Sequence, residues 1–151
     1  MAQTNDPMLS VKGLKQYFPV SKKFTVRAVD NISFDIYPGE TYGLVGESGS
    51  GKSTTGRSII RLYDPTEGTI LFNGEDISKK LTAKQEKMLR SDMQMVFQDP
   101  MASLNPHKKI LDTIAMGLDA HHPHMDQNEL VERVSKMMEM VGLNPAYMNR
   151  Y

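Results

Sequence analysis

The chain has 151 residues, with 18 lysines and arginines balanced against 18 aspartates and glutamates, and it has no cysteine. This length is typical of one domain that can bury a core, the even charge gives no basic surface for nucleic acid, and the lack of cysteine excludes a disulfide framework. The N-terminus lacks the apolar segment of a signal peptide, and no window approaches the roughly 18 apolar residues that span a bilayer. We therefore expect a cytoplasmic protein.

The first part of the chain predicts a small antiparallel β layer. Met8–Phe18 alternates loosely between apolar and polar residues and predicts a strand that ends at Pro19. The basic stretch Ser21–Arg27 predicts a loop or hairpin. Ile32–Ile36 alternates cleanly and predicts a half-buried strand, which stops at a Pro-Gly pair. We expect these strands to pair antiparallel beside the segment that follows.

The next segment, residues 46–54, fits the pattern G-x-x-x-x-G-K-[ST] at every fixed position. The apolar run Thr41–Val45 before it predicts a buried strand, and Lys52–Tyr63 predicts a helix. Glycines permit positive φ, so backbone N–H groups at the helix N-terminus can line a triphosphate. Lys52 is expected to reach the β- and γ-phosphates, and the Ser53 hydroxyl to hold Mg²⁺. The predicted phosphate-binding residues are Gly46, Glu47, Ser48, Gly49, Ser50, Gly51, Lys52, Ser53 and Thr54.

The middle of the chain predicts two further strands and a weak helix. Thr69–Phe72 predicts a strand, and the Asn-Gly pair after it predicts a tight turn. Leu81–Arg90 is weakly helical. Met93–Phe97 is apolar enough to predict a strand that enters the core.

Two amphipathic helices are predicted in the last part of the chain. The first has one apolar face, formed by Ile110, Leu111, Ile114 and Leu118. Asp126 is placed to cap the second helix, with Glu129 three residues on, and Gly142 to end it at the C′ position. The apolar stripe of this second helix is formed by Leu130, Val134, Met137, Met138 and Val141.

The order of these features resembles the ATP-binding subunits of ABC transporters. The similarity is greatest to the ATPases of oligopeptide and dipeptide importers, and it rests on the runs Tyr17–Val20, Gly43–Gly49, Thr55–Arg57, Gln98–Pro100 and Ser103–Pro106. The resemblance implies an α/β fold, namely part of the P-loop nucleoside triphosphate hydrolase fold of ABC type, with an antiparallel β layer and part of the helical subdomain. It divides residues 1–151 into the β layer with phosphate loop and helix (1–75), a link with a strand (76–98) and a partial helical subdomain (99–151).

The resemblance also implies ATP and Mg²⁺ as cofactors and assigns two more site residues. Tyr17 resembles the aromatic residue that stacks on adenine, although an aromatic side chain at the end of a strand also serves core packing. Gln98 resembles the family's glutamine that reaches Mg²⁺ and the γ-phosphate, so it is a candidate catalytic residue. Ser53 and Gln98 are then the predicted metal ligands.

The implied function is that of an ATP-binding subunit that couples ATP binding and hydrolysis to the import of oligopeptides or dipeptides. The expected partners are transmembrane permease subunits, a second ATP-binding subunit and, indirectly, an extracellular peptide-binding protein, but no nucleic acid. The expected location is the cytoplasm, peripheral to the inner face of the cell membrane through the permease.

Several features of the family are not found in these 151 residues: a Leu-Ser-Gly-Gly-Gln-like signature, an apolar strand ending in Asp-Glu, and a switch histidine. We therefore expect a truncated N-terminal portion that is catalytically inactive alone and not stable as a monomer, since strand Thr41–Val45 would lack neighbours. The alternative is a non-catalytic or inactive remnant. A dinucleotide-binding Rossmann domain fits less well, because Gly43, Gly46 and Gly49 give G-x-x-G-x-x-G.

Overall fold

The structure of the protein is a computed structural model that describes residues 6–99, 104–121 and 124–151. The chain forms two compact units, Met1–Met95 and Val96–Tyr151, which we call the first and second units. The three-part division predicted from the sequence stays a prediction. Pro100 and Ser103, which belong to two of the family-like runs, lie outside the described residues.

The first unit is built on a four-stranded antiparallel sheet. Pairing of the two long strands is antiparallel as predicted. Within the basic stretch only Lys22 and Lys23 form the turn of the hairpin, and the other residues belong to the strands. The first strand runs through Pro19, which pairs with Thr25, so the predicted end at Pro19 is wrong. At Pro19 the first strand pairs on one side only, with the other long strand, in the part of the chain that the structure describes. Proline is tolerated at such an edge. The spatial order is β2-β1-β3-β4, with β1 Leu9–Ser21, β2 Phe24–Ile36, β3 Glu67–Phe72 and β4 Glu75–Asp76.

A turn and a helix of the first unit agree with the sequence. The predicted Asn73-Gly74 turn is confirmed, and both of its residues have positive φ, 49° and 80°, as a tight hairpin turn requires. Helix α2, Ala83–Asp92, is capped by Thr82 and confirms the weak helical prediction. The core of the first unit packs against this sheet. Its buried apolar side chains are Leu9, Val11, Leu14, Val29, Ile70, Phe72, Ile77 and Leu89.

Helix α1, Lys52–Ile59, is shorter than predicted. Arg61 has a φ of 60°, its N–H donates to the Ser58 carbonyl at 3.2 Å, and the Leu62 N–H donates to the Arg57 carbonyl at 2.8 Å. This pair of hydrogen bonds is the Schellman arrangement that satisfies the last carbonyls of a helix. The predicted continuation to Tyr63 is therefore wrong, because the backbone reverses at Arg61.

Two segments that were predicted as strands, Thr41–Val45 and Met93–Phe97, have no regular secondary structure. A strand needs a hydrogen-bonded neighbour, and in the described part of the chain none of the four strands pairs with either segment. Their apolar side chains remain largely in solvent, with Val45 93% and Val96 97% exposed. Met93 and Tyr42 are exceptions, since Met93 packs against the core of the first unit and the Tyr42 ring stacks on Phe34 with centroids 4.9 Å apart.

The second unit contains helices α3, Ile110–His121, and α4, Gln127–Met140, followed by a short 3-10 helix, Pro145–Tyr147. The predicted cap of α4 is confirmed, because the Asp126 carboxylate accepts the N–H groups of Asn128 and Glu129 at 2.7 and 3.1 Å. The predicted stop is confirmed too, with Gly142 at a φ of 77°. None of the described helices is long and apolar enough to cross a membrane.

The core of the second unit is narrower than the predicted apolar stripes. Leu118, Val134 and Met138 are buried, and the predicted face of α3 packs against them. Met137 and Val141 were placed in the stripe of α4, but they are 42% and 72% exposed. The elements that pack on α4 within this unit are α3 and the 3-10 helix, and they cover only one side of it.

Candidate functional site

The phosphate loop, residues 46–54, rests on the β1–β2 hairpin. Gly51 is the N-cap of α1 with a φ of 93°, and a Cβ atom there would lie 2.3 Å from the carbonyl oxygen of Ala28 in β2. Only glycine permits both this conformation and this approach. Two turns into the helix, the buried Ser58 hydroxyl donates to Gln16 Oε1 of β1 at 3.2 Å. The hairpin therefore holds the loop and both ends of α1.

The N-terminus of α1 opens into a pocket of about 470 Å³. The Thr55 N–H donates to the Gly51 carbonyl at 2.8 Å, which is the first intrahelical hydrogen bond. The N–H groups of Lys52, Ser53 and Thr54 precede it and have no acceptor within the helix. Such a terminus attracts anions, and phosphates above all. The pocket is lined by Val26, Arg27, Ala28, Gly49, Ser50, Gly51, Lys52, Ser53 and Thr54.

The Lys52 side chain folds onto its own loop. Its ammonium donates to the carbonyl oxygens of Gly46 and Glu47 at 2.7 and 2.6 Å, and to the Ser50 hydroxyl at 3.3 Å. Because an ammonium has three donors, these bonds tie both ends of the loop to one cation. Gly46 also approaches Ser50 so closely that a Cβ would lie 2.6 Å from its hydroxyl oxygen. The loop is thus curved around Lys52, which keeps the positive charge beside the pocket.

Tyr17 lies in β1, directly opposite Arg27 of β2. Its hydroxyl donates to Asp30 Oδ1 at 2.5 Å, and the guanidinium carbon of Arg27 lies 5.4 Å from the centre of the ring. The hydrogen bond to Asp30 raises the pKa of the Tyr17 phenol. The structure thus shows Tyr17 half-buried and packed against Arg27, while stacking on adenine stays a prediction.

The remaining predicted site residues are placed as follows. Ser53 is exposed at the first turn of α1, where its hydroxyl is accessible to a cation. Glu47 and Ser48 are exposed in the loop but do not line the pocket. Gln98 is exposed in a bend of the second unit, so its predicted contact with Mg²⁺ stays a prediction.

The sequence did not indicate that β2 contributes to the pocket. The pocket is lined by Val26, Arg27 and Ala28 together with the loop, whereas in the sequence Arg27 is only the end of a basic stretch. The signal that could have found Arg27 is its pairing with Tyr17. That pairing depends on a register shift between Gln16 and Tyr17, and alternation alone does not predict such shifts.

Comparison with known proteins shows that the family model described as ABC transporter matches residues 29–151. The chain is 53% identical over 146 residues to the oligopeptide transport ATP-binding protein OppF of Bacillus subtilis (strain 168), covering 97% of this chain and 48% of that protein. It is 45% identical over 146 residues to the dipeptide transport ATP-binding protein DppF of Lactococcus lactis subsp. cremoris (strain MG1363), covering 95% and 46%. The chain spans about half the length of the curated relatives it matches.

Solved structures give the same picture of the fold. The chain is similar to the ATP-binding cassette MJ0796 in a dimeric structure of a post-hydrolysis state bound to ADP and Pi, with a TM-score of 0.81 and 25% identity, covering 95% of this chain and 61% of that one. It is also similar to cbiO1 from Clostridium perfringens, part of the ABC transporter complex cbiONQ. That match has a TM-score of 0.71 and 25% identity, and it covers 96% of this chain and 54% of cbiO1.

Proposed function

The chain belongs to the ABC transporter family, and we propose that it serves in an ATP-binding subunit that couples ATP binding and hydrolysis to the import of oligopeptides or dipeptides. The predicted α/β fold of ABC ATPase type, with its antiparallel β layer, is confirmed by the solved structures. The resemblance to peptide-importer ATPases is confirmed by the relatives' names. The choice of peptides as cargo is supported by those names alone.

The phosphate loop is the observation that carries the proposal. Lys52, Ser53 and Thr54 present N–H groups to the pocket, and the Lys52 ammonium lies within the same loop. Gly51 holds the backbone N–H groups against the hairpin, so these donors are in place before an anion binds, which favours affinity. The Lys52 ammonium has to exchange bonds to its own loop for bonds to the phosphates. A nucleoside triphosphate offers negative charge and oxygen acceptors to these donors, and the loop pattern is typical of its binding. The site therefore fits ATP, with adenine proposed to lie on Tyr17.

The donor set also fits Mg²⁺. Magnesium is a hard cation that takes oxygen ligands and keeps several waters, and hydroxyl and amide oxygens are ligands of this kind. We assign these roles to Ser53 and Gln98. Bound there, the metal would neutralise the charge that develops on the phosphates, and the chain's own part is to orient them.

The partners and location follow from the proposed function. The relatives are named transport ATP-binding proteins, and MJ0796 is described as dimeric. We propose that the subunit pairs with a second ATP-binding subunit and docks on transmembrane permease subunits at the inner face of the membrane. An extracellular peptide-binding protein would act on it indirectly, through the permease.

We further propose that the 151-residue polypeptide by itself binds ATP without turning it over. Hydrolysis needs a positioned water and a base beside the γ-phosphate. The positions that match the family supply Lys52, Ser53 and Gln98, and none of these has a carboxylate or imidazole that could accept the proton of the attacking water. A steady release of phosphate by this polypeptide that Lys52→Ala abolishes would contradict the proposal.

Titration with MgATP tests the binding function. Lys52→Ala removes a cation whose hydrogen bonds to charged groups contribute about 1.5 to 3 kcal/mol each, so affinity should fall by about tenfold or more. Tyr17→Ala removes a stacking contact of about 0.5 to 1.5 kcal/mol, and the loss should be smaller. Lys136→Ala, in the second unit, is the control for net charge. Equal losses for the Lys52 and Tyr17 variants, or no binding by the unsubstituted chain, would contradict the proposal.

A further inference from the structure

Arg27 belongs to both halves of the candidate site. It lines the pocket together with the phosphate loop, and it is the cross-strand neighbour of Tyr17. Residues that oppose each other in antiparallel strands project from the same face of the sheet, so the two side chains meet. The guanidinium carbon of Arg27 accordingly lies 5.4 Å from the centre of the Tyr17 ring. Arg27 therefore stands where the phosphate loop and the proposed adenine platform come together.

The Arg27 guanidinium is held by one carboxylate that also holds Tyr17. Asp30 Oδ2 lies 3.8 Å from Arg27 Nη1, while Asp30 Oδ1 accepts the Tyr17 hydroxyl. A guanidinium has five N–H donors, and an ion pair of this length engages few of them. The Arg27 side chain is 68% exposed. Its position is thus restrained while most of its donors remain available to a ligand.

The charged residues that line the pocket also indicate that Arg27 can bind an anion. Of the described residues that line it, two are charged, and both are cations, Arg27 and Lys52. Lys52 already shares its donors with Gly46, Glu47 and Ser50 of its own loop. A guanidinium can bind two phosphate oxygens side by side, which an ammonium does only as a point charge. The pocket therefore has a second anion-binding group outside the glycine loop.

We propose that Arg27 is a phosphate-binding residue of this site, contacting the α-phosphate end of the nucleotide while Lys52 holds the β- and γ-phosphates. The inference rests on the proposed nucleotide-binding function and extends it to a residue that the loop pattern does not contain. Its place between the loop and Tyr17 assigns it to the part of the ligand between the γ-phosphate and the base. Asp30 then makes no contact with the nucleotide, and its negative charge partly neutralises Arg27.

The test compares Arg27→Gln with Lys23→Gln, which removes the same charge from the turn of the same hairpin but does not line the pocket. Each variant is titrated with MgATP and with inorganic tripolyphosphate. We expect Arg27→Gln to weaken both ligands by about tenfold, which corresponds to one lost charge-assisted contact, and Lys23→Gln to change them less than about twofold. Arg27→Lys should recover part of the loss, since it keeps the charge without the planar fork.

The Asp30→Asn variant distinguishes two roles for Arg27. In the first, Arg27 contacts phosphate; in the second, it only stabilises the cluster that it forms with Asp30 and Tyr17. The asparagine side chain still offers an acceptor to the Tyr17 hydroxyl, but it no longer neutralises Arg27, so MgATP affinity should stay the same or rise. A loss as large as that of Arg27→Gln would overturn the proposal. Equal effects of Arg27→Gln and Lys23→Gln would also overturn it, as would a loss for ATP that tripolyphosphate does not share. If Lys52→Ala loses MgATP while Arg27→Gln behaves like its control, the proposed function stands and this inference fails.

Discussion

Gly51→Ala would place a methyl group at the point where the phosphate loop meets β2. The new Cβ would lie 2.3 Å from the Ala28 carbonyl oxygen and 3.6 Å from a methyl carbon of Val29. The shorter distance is far below the separation that two non-bonded heavy atoms tolerate, so the backbone of the loop or of β2 has to move. The alanine would also have to adopt the φ of 93° found at position 51, a backbone conformation that residues with a Cβ atom rarely take.

Gly49 provides a matched comparison within the same loop. It also has a positive φ, 78°, but a Cβ there would meet nothing within 4 Å. Gly49→Ala should therefore lower the free energy of unfolding by about 1 to 2 kcal/mol, because it only forces a residue with a Cβ atom into the left-handed conformation. Gly51→Ala should cost that amount plus about 1 to 3 kcal/mol for overpacking. Since a domain is stable by only about 5 to 15 kcal/mol, the difference is measurable.

Urea unfolding followed by tyrosine fluorescence measures this difference in the first unit, where four of the six tyrosines lie: Tyr17, Tyr37, Tyr42 and Tyr63. We expect the unfolding midpoints to fall in the order unsubstituted chain, Gly49→Ala, Gly51→Ala, with unchanged slopes. MgATP affinity should fall most for Gly51→Ala, because its clash displaces the N–H array. Equal midpoints for the two alanine variants would refute the argument that the loop is seated on Ala28.

Three further predictions concern stability. Asp126→Ala should lower the free energy of unfolding of the second unit by about 1 kcal/mol, measured by circular dichroism in urea, because it removes the cap of α4. Arg61→Met should lower the melting temperature of the first unit, because it leaves the carbonyl of the buried Ile77 without this donor, at about 1 to 3 kcal/mol, whereas the exposed Lys79 carbonyl can bond to water instead. Hydrogen bonds from Ser78 lower the pKa of Asp76, so the stability that its ionised form contributes is present above the unfolded pKa of about 3.9 and is lost as pH falls through the lower folded value. Urea titrations below about pH 4 should therefore show a shallower loss of stability for Asp76→Asn.

Each of these predictions has a control. Asp126→Asn keeps an oxygen for the cap and should be nearly neutral, so damage equal to that of alanine would contradict the capping argument. Arg90→Met changes an exposed arginine of α2 and should cost little; Arg61→Met, with its side chain only 4% exposed, must cost more. Asp92→Asn is the control for acid stability. If it flattened the pH dependence as much as Asp76→Asn, the role given to Asp76 would be wrong.

The features that the sequence predicted correctly are those determined by nearby residues. The cap at Asp126 and the stop at Gly142 depend on side-chain and backbone chemistry within one helical turn. The Asn73-Gly74 turn depends on two residues that accept positive φ. The start of α1 at Lys52 is local in the same way, since it follows directly from the glycines that precede it in the sequence. Such features need no knowledge of what lies across the fold.

The features that were missed depend on residues distant in sequence or on a rare conformation. Thr41–Val45 has the composition of a strand, but a strand forms only beside a partner, and composition does not specify one. Arg61 ends α1 by adopting a left-handed conformation that non-glycine residues seldom take, so the pattern gave no stop signal. Arg27 joins the pocket through a cross-strand register that includes irregular steps. In each case the structure depends on a contact or a conformation that the neighbouring residues do not predict.

The phosphate loop owes its shape to the hairpin and to Lys52 and not to a core of its own. Residues 41–50 are all exposed, so no buried side chain within the loop holds it in place. What holds it is the approach of Gly51 to Ala28 and the three hydrogen bonds of Lys52. Val29, beside Ala28, is buried in the core of the first unit. A change in that core would therefore move the strand on which the loop rests, and nucleotide affinity would depend on side chains that never touch the ligand.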